Sequence, residues 1–163
     1  MKTTFFYQQP MGVEWGSHST AVLWACGVTG PINSASGMIV NLAELQKLMK
    51  KQGVLQRGTS LNSVLERLHQ EVTQELTSKF SELQIECRFE FRVGGLDCVM
   101  SSKNYVQISG VHRLESFMVV VEQMPTAQIE MKPEEDLISV FRAYGLRELW
   151  TSSWGSDISL RLI

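Results

Sequence analysis

The sequence predicts an α+β fold. Two amphipathic helical stripes occupy the middle of the chain, and a run with a period of two follows them directly. β-prone segments lie on both sides. The chain has 163 residues, 44% of them hydrophobic and 20% charged, so it is long enough to bury a core without covalent staples.

At the N-terminus, Thr3 to Tyr7 is rich in aromatic and β-branched residues and reads as a short strand. "QQPMG" should break it, with Pro10 and Gly12 marking a loop. Ser19 to Val28, "STAVLWACGV", is apolar enough for a buried helix turn. Its length and flanking glycines favour a strand. "TGPINSASG" is a turn region, after which Met38 to Val40 finishes a strand or enters a helix.

Asn41 is positioned to cap that helix, with Glu44 three residues on as in a capping box. Leu42, Leu45, Leu48 and Met49 form its apolar stripe. Lys47, Lys50 and Lys51 lie toward the negative end of the dipole, and Gly53 should close it. Thr59 or Ser60 caps the second helix. Leu61, Val64, Leu65, Leu68, Val72 and Leu76 mark its buried face, and it should end near Phe80.

The period then changes. Leu83, Ile85, Cys87, Phe89 and Phe91 point one way, and Gln84, Glu86, Arg88, Glu90 and Arg92 point the other. Gly94-Gly95 is a turn. "DCVMSSKN", "YVQISGV", "FMVVVE", "AQIEMK" and "DISLRLI" read as further strands. A short helix is expected to open at Pro133 and continue over Leu137 to Tyr144. The expected organisation is a core over 1–94 and a β-rich extension over 95–163 with one short helix, the extension being either an appendage or part of the same domain.

Composition narrows the function classes. A net charge of -2 without a basic stripe argues against a dedicated nucleic-acid surface. The cysteines, Cys26, Cys87 and Cys98, are odd in number and form no C-x-x-C, which favours a reducing compartment over a disulfide scaffold. No signal peptide or apolar membrane span stands out, so the expected location is cytoplasmic, away from membranes. Cys26 and Cys87 fall on packed strand faces, whereas Cys98 could be exposed. His69 flanks the apolar side of the second helix. Trp24 should be core, and Trp150 and Trp154 either contact a partner or pack over the sheet end.

The order β, β, α, α, β and the phrase "SGMIVNLAELQKLMKK" resemble the 6-pyruvoyl-tetrahydropterin synthase and 6-carboxy-tetrahydropterin synthase family. "GTSLNSVLERLHQEV" is similar to that family's second helix, and "ECRFEF" to the strand that carries its glutamate. The resemblance covers roughly Thr3 to Val93. It implies the tunnelling fold: an antiparallel sheet with two helices on one face, whose subunits join sheets into rings or barrels. It also implies a zinc on three histidines, and a glutamate that grips a pterin- or purine-like ring.

Residue by residue, little of that site carries over. His18 in "WGSH" matches the second histidine of the family's "HGH", and Glu90 matches the ring-gripping glutamate. "YQQPMG" holds no histidine where the family has one. The family's cysteine and its Asp-His pair are absent from the matching stretches. An "HRL" occurs instead at His112-Arg113-Leu114, which makes His18 and His112 the candidate metal ligands. Catalytic residues are unknown.

For Glu90 two readings stand. One is an ion-paired sheet face, and the other is a carboxylate that accepts two donors from a guanidine-like ring edge. The expectation is a non-catalytic or degenerate relative, with no cofactor, that binds a pterin- or purine-like ligand at Glu90 and His18 or serves as an oligomeric scaffold. One alternative is a zinc-dependent carbon–oxygen lyase with relocated residues. Another is an interaction domain without a small ligand.

Overall fold

A computed structural model describes residues 2–93, 96–103, 105–112, 115–121, 128–131 and 159–162. In chain order the elements are β1 (Lys2–Trp15), β2 (His18–Pro31), α1 (Leu42–Lys51), β3 (Leu55–Gly58), α2 (Leu61–Thr77) and β4 (Gln84–Val93). Then come β5 (Leu96–Ser101), β6 (Tyr105–His112), β7 (Glu115–Val121), β8 (Gln128–Met131) and β9 (Ser159–Leu162). The strands form one sheet in the order β3-β1-β2-β4-β5-β6-β7-β8-β9. The sheet is mixed, not purely antiparallel as expected, because β3 runs parallel to β1 and β9 parallel to β8. The fold is α+β, with α1 and α2 packed on one face.

The first strand corrects the expected break at "QQPMG": β1 runs through Pro10 and Gly12 without interruption. The reason lies in strand parity. Gly12 N donates to Val54 O at 2.7 Å, on the side away from β2. Pro10 has the same parity, so its missing N–H costs the β1–β2 ladder nothing. Trp15 pairs with His18 across a two-residue turn, in which Gly16 takes a φ of 56°. Such a tight hairpin turn favours glycine because positive φ is strained for residues with a Cβ.

The turn expected in "TGPINSASG" is present over residues 34–36, whereas Met38 to Val40 neither finish a strand nor enter α1. Asn33 Oδ1 accepts from Ala35 N at 2.9 Å and Ser36 N at 3.1 Å, and this local turn competes with extended structure. Ile39 and Val40 still bury their side chains. Asn41 caps α1, accepting from Ala43 N at 2.9 Å. Gly53 follows the helix with a φ of 76°, and its amide donates to Lys50 O at 3.0 Å.

In α2 all six residues expected on the buried face are buried. Ser60 and Ser63 close its capping box. The helix ends at Thr77, three residues before the expected end. β3 carries no period-two signal in its four residues, and it is held from outside: Arg67 on α2 donates to Arg57 O at 3.1 Å and to Gln56 Oε1 at 2.5 Å.

The core lies between the helices and one sheet face. Met11, Val13 and Trp15 from β1, Val22, Trp24, Cys26 and Val28 from β2, and Cys87, Phe89 and Phe91 from β4 supply the sheet side. Cys98 and Met100 of β5 belong to the same core, so it extends past the Gly94-Gly95 position. The expected helix over Leu137 to Tyr144, the glycine turn, and Trp150 and Trp154 lie outside the described residues. No helix among the described residues is long and apolar enough to cross a membrane.

Candidate functional site

The sheet face opposite the helices carries the polar residues of β4. Strand alternation sets Gln84, Glu86, Arg88, Glu90 and Arg92 there, beside Leu23 and Ala25 of β2 and Val99 and Ser101 of β5. Two ion-paired groups flank Glu90. On one side, the Glu86 carboxylate is 8% exposed. It accepts from Arg88 Nε at 2.8 Å and from Ser101 Oγ at 2.7 Å, and Lys103 Nζ lies 3.5 Å away. The Arg88 guanidinium also sits 4.5 Å over the Phe6 ring, a cation–π contact. Phe6 in turn lies so close over Gly27 that a Cβ there would meet the ring. On the other side, Arg92 Nε pairs with Asp97 Oδ1 at 2.7 Å in a largely exposed bridge.

Glu90 is half-buried and stands in register between Leu23 and Val99. Among the described residues no hydrogen bond or ion pair reaches its carboxylate, and the arginines on either side are engaged with Glu86 and Asp97. The result is an acceptor-only group flanked in its own row by two aliphatic side chains.

The other sequence candidates lie elsewhere. His18 is exposed at the start of β2 and stacks on Trp15, with ring centroids 5.7 Å apart. By parity it belongs to the helix-side face, and it is five residues from Leu23, roughly 17 Å along the strand. His18 and Glu90 therefore do not share a site. His112 ends β6 at the same end of the sheet as His18, but β4 and β5 intervene, on the order of 14 Å over three interstrand steps. His69 Nε2 donates to Ile85 O at 2.9 Å and ties α2 to β4.

Zinc needs three converging protein ligands. Among the described residues no group of three His, Cys, Asp or Glu side chains could hold a metal. His18 and His69 belong to no such group.

The cysteines are all free and buried. For Cys98 this corrects the expected exposure: its parity matches the core face opposite Phe91. Cys26 and Cys87 are register partners. The Cys87 backbone groups turn away from β2, since its N–H donates to Ser102 Oγ at 2.9 Å while Cys87 O accepts from Ser102 N at 2.8 Å. The pair therefore occupies a non-hydrogen-bonded position, where cross-strand side chains approach most closely.

The hydrogen bond with Cys87, then burial, pushes the Cys26 thiol far up. Burial, then the Asp97 charge, pushes Cys98 from 9.0 to about 12. Native protein treated with iodoacetamide at about pH 8 should thus take up no label at Cys26 or Cys98, and both should react in denaturant. Because the folded pKa of Cys98 is raised, its contribution to stability is intact below 9.0 and is lost as pH rises toward about 12. Urea midpoints measured across that window should fall.

A cavity of about 430 Å³ lies beside β1 and β2 next to the end of α1, bounded by Pro10, Met11, Val22 and Val54 with Lys50 as its charged residue. Glu90 does not line it. The Glu86–Ser101–Lys103 cluster had no motif to announce it, although the E-x-R spacing of Glu86 and Arg88 on one strand face hinted at an ion pair. No family model, no curated protein and no solved structure matches this chain.

Proposed function

We propose that this is a non-catalytic binding protein of the tunnelling-fold type that holds a flat pterin- or purine-like ring at Glu90. Support for the fold type comes from topology: β1, β2, β4 and β5 are sequential antiparallel neighbours in the sheet, apart from β3, and both helices fall in the connection between β2 and β4. Support for the ligand comes chiefly from Glu90, a half-buried carboxylate without a protein partner among the described residues, on the face the helices leave clear. Two adjacent N–H donors on a ring edge would satisfy both of its oxygens. Leu23 and Val99 would meet the ring's apolar surface.

The strand order sets His18 on β2 and His112 on β6 with two strands between them, which speaks against the lyase alternative. His18 and His112 take no part in the proposed site.

Rings that present adjacent N–H donors, such as pterin and guanine, should bind, and adenine, which offers a donor beside an acceptor, should bind more weakly. Glu90→Gln keeps the shape but puts a donor where an acceptor is needed. It should weaken the pterin or guanine complex by about tenfold or more, since hydrogen bonds to charged groups contribute about 1.5–3 kcal/mol. Calorimetric titration of both proteins with the three rings checks this. Unchanged affinity of the variant for pterin and guanine would remove Glu90 from the site.

A further inference from the structure

The outer edge of β1 is open along most of its length. β3 covers only Gly12 to Trp15, so among the described residues no strand lies beside the edge from Lys2 to Met11. The Gly12–Val54 bond fixes which groups face outward. By alternation, the amides and carbonyls of Lys2, Thr4, Phe6 and Gln8 point away from β2, and Pro10 adds a carbonyl only. Between Lys2 and Glu14 the strand carries no charge. Such an edge is a ready template for another strand, and only Pro10 interrupts it.

We infer that this edge pairs with the same edge of a second copy, antiparallel about a two-fold axis at Phe5. The choice of partner and register follows from self-complementarity. Centred on Phe5, Lys2 faces the second copy's Gln8 and Thr4 faces the second copy's Phe6, so every outward group of those four residues is paired. Pro10 falls just outside the ladder. Centring on Phe6 instead would set Lys2 against Pro10 and leave the Lys2 carbonyl without a donor. Centring on Thr4 would leave Gln8 unpaired.

In the Phe5 register the two Phe5 side chains occupy a close, non-hydrogen-bonded position, and Thr3 meets the second copy's Tyr7. Aromatic and β-branched cross-strand pairs of this kind are favourable. The two Lys2 charges lie at opposite ends of the ladder, each against a neutral side chain. The interface is isologous and closes at two subunits. A ring built on the outer strands of the β1-β2-β4-β5 unit is not available in this chain, because β6 already occupies the outer edge of β5. The dimer is independent of the ligand proposed for Glu90.

Gln8 is exposed, so changing its charge tests the register without disturbing the core. Gln8→Lys places a like charge opposite Lys2 at both ends, and Gln8→Glu places an opposite one. Sedimentation equilibrium over a concentration series should show a wild-type dimer. Gln8→Lys should weaken it by roughly threefold to tenfold, and Gln8→Glu should tighten it by a similar factor. Thr4→Pro removes an outward amide as Pro10 does. It should weaken the dimer by about tenfold or more, with an unchanged circular dichroism spectrum. A monomer at every concentration, a trimer or larger ring, or the two Gln8 variants moving the same way would overturn the proposal.

Discussion

Truncating Phe89 to alanine is expected to lower the free energy of unfolding by about 3–5 kcal/mol. Phe89 is fully buried in β4, with Trp24 opposite it on β2 and Met100 opposite it on β5, and both neighbours are also fully buried. All three face the helices, so the vacated volume is walled on the sheet side by large side chains that cannot collapse into it without moving strands. A cavity of that kind costs the lost transfer energy and the lost contacts together. Set against a typical total of about 5–15 kcal/mol, the loss is large. Urea denaturation should show the midpoint falling sharply with little change in slope. A loss below about 1 kcal/mol would mean that this row does not form the centre of the core.

Arg88→Ala is expected to cost about 2–4 kcal/mol, and the reason is electrostatic. The Glu86 carboxylate is almost wholly withdrawn from water, while Arg88 keeps 29% of its side chain exposed. Removing a partner from a buried pair typically costs about 3–5 kcal/mol, because the remaining charge has lost both water and its counterion. The lower range applies because Ser101 and Lys103 still reach Glu86 and because Arg88 is partly solvated. Replacing Glu86 and Arg88 together by leucine should cost less than Arg88→Ala alone. A double-mutant cycle on urea midpoints measures this coupling. Additive single effects would show that the two groups do not act as a unit.

Much of the architecture was legible in the residues because it follows from periodicity. The α2 stripe from Leu61 to Leu76 and the alternation from Cys87 to Phe91 each bury the face that their spacing assigns. The caps at Asn41 and Ser60 and the closing Gly53 were legible as well, since each satisfies or relieves a specific backbone group. What escaped depended on neighbours distant in sequence. Pro10 looks like a breaker until it is known that its nitrogen faces an open edge. β3 is a strand only because β1 and Arg67 hold it. Met38 to Val40 look like the end of a strand or the start of a helix, but the turn that the Asn33 side chain holds lies just before them.

The site was legible only in part. Parity placed Glu90 on the polar face of its strand, but the pairing of Arg88 with Glu86 and of Arg92 with Asp97 involves choices among like residues that spacing does not make. The separation of His18 from both Glu90 and His112 is a matter of strand order and face, which no local pattern encodes.

The most direct test of the Glu90 site is a titration with pterin followed by the backbone amide resonances of the isotopically labelled protein. Shifts centred on Leu23, Glu90 and Val99, lost in Glu90→Gln, are the expected result. Shifts centred instead on Met11, Val22 and Val54 around the apolar cavity, or no shifts at millimolar pterin, would contradict it.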